Sequence, residues 1–118
     1  MGYSHAARLG DLLFVSGQVS KNEHDETVYV GDAERQTEVV YENLKRVLEE
    51  LGSGIDMIGK MTVFTTSLEH RPAINRVRER VFGPMGRYPA STFVVVSSLA
   101  VPEWLVEIEV IAVVRKSG

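Results

Sequence analysis

The sequence predicts a single two-layer α+β domain, a five- or six-stranded sheet with two helices on one face. Three observations predict it. Two stretches repeat apolar residues at the period of an amphipathic helix. The other apolar runs have strand length and β-branched composition. Their order along the chain is β-β-(β)-α-β-α-β-β, which leaves too little helix to cover both faces of the sheet. At 118 residues the chain, 1–118, is one domain and too short for two ordinary ones.

Each element has a local cause. Ser4 to Leu9 reads as a first strand, and Leu12 to Gly17 as a second, with Gly10-Asp11 as the hairpin turn between them. Ser20 to Thr27 is polar and aperiodic, hence a loop. Val28-Tyr29-Val30 reads as a brief edge strand stopped by Gly31. Asp32 is an N-cap, and Glu34 in the first turn suits the helix dipole. Val40, Leu44, Val47, Leu48 and Leu51 form one stripe of that helix, which Gly52 and Gly54 stop. Ile58 to Thr66 is a strand and Ser67 to Arg71 a connection. Pro72 suits the first turn of a second helix with Ile74, Val77, Val81 and Phe82 as its stripe. Gly83-Pro84 ends it, Gly86 to Pro89 is a loop, and Ser91 to Ser97 is a strand apolar on both sides. Leu99 to Trp104 leads to the last strand, Leu105 to Val114.

That last strand has an unusual pattern. Val106, Ile108, Val110 and Ala112 share one face; Glu107, Glu109, Ile111 and Val113 share the other. Two carboxylates, about 7 Å apart at the rise of a strand, thus lead into an apolar run. Three strands are apolar on both faces while the helices can cover only one. An obligate oligomer, with sheet faces turned toward copies of the same chain, is therefore expected.

Composition removes several classes of function. The net charge of −3 and pI near 5.6 give no pull toward nucleic acid or anionic lipid. The absence of cysteine excludes disulfides, thiolate catalysis and cysteine-ligated metal, and fits a cytoplasmic setting. No apolar run is long enough to span a bilayer. No secretory signal or myristoylation pattern is present, and the early start at Tyr3-Ser4 predicts little or no disordered leader. His5, His24 and His70 lie in distant segments without metal-ligand spacing. No serine sits in a nucleophile elbow, and no phosphate or dinucleotide glycine loop occurs. The run Arg76 to Arg80 includes Glu79 and lacks aromatic platforms, so it reads as a solvated face rather than an RNA surface. Glu107 and Glu109 remain. Either they pair with Lys60 or an arginine across the sheet or a subunit boundary, or one is a general acid/base beside a cleft, its pKa raised by burial and by the other.

Five segments in this order carry a resemblance: Ser16-Gly17-Gln18, the Gln36 to Gly52 helix with Glu42-Asn43-Leu44-Lys45, Lys60-Met61-Thr62-Val63-Phe64, Tyr88-Pro89-Ala90-Ser91-Thr92, and Val106 to Ala112. Together they resemble the Rid family (reactive intermediate deaminase, YjgF-like, or endoribonuclease L-PSP) over nearly the whole chain. The resemblance implies a chorismate-mutase-like fold with a mixed sheet, a homotrimer with a barrel-like centre, and clefts between subunits. It implies no cofactor and no metal. In members that hydrolyse imines the cleft holds residues matched here by Tyr3, Ser16, Gly17, Asn75 and Thr92. Glu107 matches the glutamate thought to position or activate water. An arginine that clamps the substrate carboxylate is missing: by strand register Ala90 stands in its place. Arg87, three residues earlier, and Glu109 are further candidates. Tyr88 and Trp104 flank the region.

The resemblance thus implies a small-molecule hydrolase of the Rid type, acting on imine, enamine or related reactive metabolites. Its substrate would differ from 2-imino acids, because alanine cannot make the bidentate contact. Two alternatives stand beside it: a non-catalytic trimer that binds a metabolite or a protein, and an endoribonuclease or translation inhibitor. No nucleic-acid or membrane partner is expected.

Overall fold

The computed structural model describes residues 5–116. Its best-defined anchor is the first helix, α1 (Ala33–Glu50), whose start is set by Asp32: the carboxylate accepts from the Arg35 amide at 3.0 Å. Val40, Leu44, Val47 and Leu48 face inward and are buried. The helix ends where Gly52 takes φ +79° and the Ser53 amide returns to the Leu48 carbonyl at 2.8 Å. Leu51 does not continue the stripe. It falls at the C-cap, after the helical phase is lost, and is 42% exposed.

The second helix, α2 (Arg71–Phe82), buries Ile74, Val77 and Phe82 in the same core. Glu34 ties the two helices together, accepting from Arg76 at 2.9 Å and Arg80 at 3.1 Å. Among the described residues no helix is long and apolar enough to cross a membrane.

Five strands make one mixed sheet: β1 (Ala6–Leu9), β2 (Leu12–Gln18), β3 (Ile58–Thr65), β4 (Ala90–Val95) and β5 (Val106–Val113), in the order β1-β2-β5-β3-β4. Only β3 and β4, joined through α2, run parallel. The hairpin turn at Gly10-Asp11 forms as expected, with Gly10 at φ +63°. β5 is central and alternates as its sequence requires. Val106, Ile108, Val110 and Ala112 are buried beneath the helices, whereas Glu107, Glu109, Ile111 and Val113 lie on the face that the helices leave open. Across that open face Leu12 pairs with Val113 and Phe14 with Ile111. Leu12, Phe14 and Val113 remain 38–41% exposed.

One expected element is absent. Residues 28–30 do not form an edge strand; an isolated bridge, Lys21 to Thr27, stops just before them, and Tyr29 turns left-handed at φ +58°. Local bonds and one side chain of α1 satisfy the segment's backbone instead of a ladder: the Val28 amide donates to the Ser20 carbonyl at 3.0 Å, the Ser20 hydroxyl donates to the Val28 carbonyl at 2.7 Å, and Gln36 donates to that of Tyr29 at 3.2 Å. Among the described residues the sheet therefore has five strands rather than six.

Candidate active site

The site begins with an irregularity in β2. Val15 pairs with Val110 and Gln18 with Ile108, so Ser16 and Gly17 together oppose the single residue Glu109. This β-bulge shifts the strand by one residue and re-aims its backbone. Ser16 is fixed there by two bonds to the His5 carbonyl, from its amide at 2.8 Å and its hydroxyl at 3.0 Å. Gln18 is buried and donates to the Ser16 carbonyl at 3.0 Å.

The side chain of Glu107 lies across the other bulge residue. A Cβ built on Gly17 would stand 2.6 Å from Glu107 Cδ and 2.7 Å from its Cγ, so any residue but glycine would displace the carboxylate. Phe64 pairs with Glu107 on the other side. Burial pushes the Glu107 pKa above the usual carboxylate value, and the charge of Glu109 pushes it the same way. Among the described residues no cation pairs with either carboxylate. Lys60, the partner expected on the ion-pair reading, donates to the Thr92 hydroxyl instead. Glu109 faces a hollow of about 140 Å³ with Phe14, Lys60, Thr62 and Ile111.

The chain by itself does not gather all the residues expected in the cleft. Ser16, Gly17 and Glu107 are together. Ala90 pairs with Lys60, and Thr92 with Thr62, on edge strand β4. They share the open face with Glu107, but two strand spacings, about 10 Å, separate β4 from β5. Asn75 stands on α2, which packs on the covered face. Arg87 donates to the Asp56 carbonyl at 2.8 Å and does not stand in for an arginine at position 90. Tyr3 lies outside the described residues. Trp104 is packed at 8% exposure and donates to Thr27, a structural role, while Tyr88 donates to Glu79 at 2.8 Å. Phe64 is the neighbour of Glu107 that the sequence did not single out. The signal lay in the antiparallel register between β3 and β5, which the residue pattern alone does not fix.

The arrangement suits proton transfer and water positioning rather than metal chemistry. A carboxylate with a raised pKa, sheltered and without a counter-charge, is a stronger base than an ordinary one and can take a proton from an attacking water. Among the described residues no three of His, Asp or Glu are grouped to hold a metal ion. The histidines are not brought together for paired acid/base work: His5 meets Gln18, His24 meets Glu23, and His70 ends the turn before α2.

Comparison with known proteins adds an independent finding. Residues 1–114 match the family described as Endoribonuclease L-PSP. A 2-iminobutanoate/2-iminopropanoate deaminase of Dermatophagoides farinae is 30% identical over 110-odd residues, covering 96% of this chain and 86% of that protein. A crystal structure from Thermotoga maritima, described as a candidate endoribonuclease, is 42% identical with a TM-score of 0.88, covering 100% of this chain and 89% of that one. YyfA of Yersinia pestis, of unknown function in the conserved Rid protein family, is 36% identical with a TM-score of 0.89, covering 96% and 88%.

Proposed function

The chain belongs to the endoribonuclease L-PSP family, the Rid proteins, and from that premise we propose that it hydrolyses a C=N bond of a small reactive metabolite. Glu107 is the residue that orients water and accepts its proton. The observation that carries this reading is the Glu107 carboxylate itself, sheltered over Gly17, raised in pKa and unpaired with any described cation. The named activity of the mite relative supports the reaction class. Water added to the imine carbon gives a carbinolamine, which collapses to carbonyl product and ammonia or amine as protons return through the carboxylate.

The catalytic unit in this proposal is a homotrimer. The open face exposes Leu12, Phe14 and Val113 around the very strand that carries Glu107. Ser16, Gly17 and Glu107 form one half of a site, and Ala90, Thr92 and Asn75 belong to surfaces that do not meet it within one protomer. A neighbouring copy brings the halves together and shelters the carboxylate further.

Ala90 sets the substrate class. With no guanidinium at that position to grip a carboxylate, uncharged or differently substituted imines are favoured over 2-imino acids. The direct experiment generates a panel of imines in situ and follows carbonyl product. Faster release than in buffer for at least one uncharged imine supports the proposal; no acceleration of any imine, with equal rates for wild type and Glu107→Ala, removes it.

The missing clamp also favours a second reading, a non-catalytic trimer that binds a small metabolite or a protein in the same cleft. That reading expects ligand-dependent thermal stabilisation without turnover. Ribonuclease action finds no support in the acidic net charge or in the scattered histidines.

A further inference from the structure

Two opposite charges stand on the open face with no ionic partner. Lys60 on β3 and Glu109 on β5 are diagonal neighbours there, since Lys60 pairs with Ile111 and Thr62 with Glu109. Yet they do not meet. Lys60 leans the other way and donates to the Thr92 hydroxyl of β4, which lies on the far side of β3 from β5. Glu109 is left exposed, sharing its hollow with Phe14 and Ile111. Among the described residues neither charge has an ion pair.

That state is tolerable only while the face is wet. Leu12, Phe14 and Val113 stand 38–41% exposed around these charges, and whatever covers them takes Lys60 and Glu109 out of water as well. An ion removed from water without a counter-charge is strongly destabilising. A partner for this face must therefore bring an anion to Lys60 and a cation to Glu109. A second copy of the chain carries both, on a face that is apolar in the same way.

The positions of the two charges also match the assembly. The Lys60 ammonium lies with Thr92 toward the β4 edge, whereas Glu109 lies on β5 opposite the Ser16-Gly17 bulge, two residues from Glu107. Docking that carries Thr92 of one copy to the Glu107 half-site of the next carries Lys60 toward Glu109 in the same step. Of the two carboxylates Glu109 is the accessible one; Glu107 is half-buried and lies across Gly17.

We propose that Lys60 of one copy pairs with Glu109 of the next, so that each seam of the assembly contains this ion pair. In a trimer each copy then gives its lysine to one neighbour and its glutamate to the other. The pair sets the register of docking, while the apolar residues around it supply most of the affinity. The inference rests on the assembly proposed above and is independent of the hydrolysis.

Sedimentation velocity of the full chain with charge reversals is the test. Lys60→Glu and Glu109→Lys each put like charges at every seam, and each is expected to raise the concentration for half-assembly at least about tenfold. The double variant carrying both reversals is expected to assemble as the wild type does. A one-to-one mixture of the two single variants is expected to assemble better than either alone, because every seam between unlike copies then matches. Single variants that assemble like wild type overturn the pair and leave the trimer standing. A mixture that stays dissociated while the double variant assembles puts the pair within one chain and also overturns it. A wild-type chain that sediments as a folded monomer removes the second copy as occupant, and the trimer with it. Should either reversal fail to fold, Lys60→Gln and Glu109→Gln take their place in a double-variant cycle: a loss of assembly shared by the two supports the pair, and additive losses overturn it.

Discussion

Glu107 and Gly17 occupy each other's space: the glutamate carboxylate fills the volume where a β-carbon on residue 17 would have to go. Neither residue explains the site alone. The bulge at Ser16-Gly17 creates the gap, and the alternation of β5 points Glu107 into it.

Gly17→Ala is therefore expected to act through Glu107. A methyl in the gap is expected to turn the Glu107 side chain aside at a modest cost in stability, less than that of overpacking a rigid core, because the atoms it meets are the end of a flexible side chain. In a Glu107→Ala background most of that cost should disappear, because the colliding atoms are gone. Chemical denaturation of the two single variants and the double variant measures the coupling.

The pKa of Glu107 makes stability depend on pH with a definite sign. Its value in the folded chain is raised, so the folded state holds the proton more tightly than the unfolded one. Ionisation then opposes folding, fully above the raised value and not at all below the ordinary carboxylate value. Glu107→Gln is expected to raise Tm at neutral pH, and the gain should fade as pH drops through that window. Melting curves across a pH series check this.

Phe14 and Ile111 face each other at the centre of the open face. Phe14→Asp places a charge in what the proposal makes a dry contact between copies, and is expected to dissociate the assembly. Sedimentation of wild type and variant decides. A wild-type chain that sediments as a folded monomer would remove the oligomer from the account.

Asp32 accepts from the Arg35 amide at the start of α1. Asp32→Ala is expected to cost about 1 kcal/mol, and Asp32→Asn much less, since asparagine also caps. Urea unfolding midpoints give the difference.

Much of this was legible in the residues, for identifiable reasons. The stripe from Val40 to Leu48 and the alternation from Val106 to Val113 are periodic, and periodicity survives into the fold because burial enforces it. Val28-Tyr29-Val30 misled because β-branched composition says nothing about where backbone bonds go: Ser20 takes those of Val28 and buried Gln36 reaches Tyr29 from α1, while buried Asn43 ties down the neighbouring Val19 and Lys21. Gln36 and Asn43 are themselves invisible to a hydrophobic pattern. At the site, Ser16, Gly17 and Glu107 were readable as a group through the resemblance, whereas the bulge that joins them is a matter of register, which one sequence leaves open.

The most direct measurement is kcat/KM for an imine generated in situ, compared between wild type and Glu107→Gln from the acid side of the raised pKa to neutral pH. The account requires a loss of roughly 10²–10⁴-fold in the variant at neutral pH, narrowing as acid protonates the wild-type carboxylate. Equal rates across the series, in a variant that keeps the wild-type fold and assembly, would contradict the assignment of Glu107.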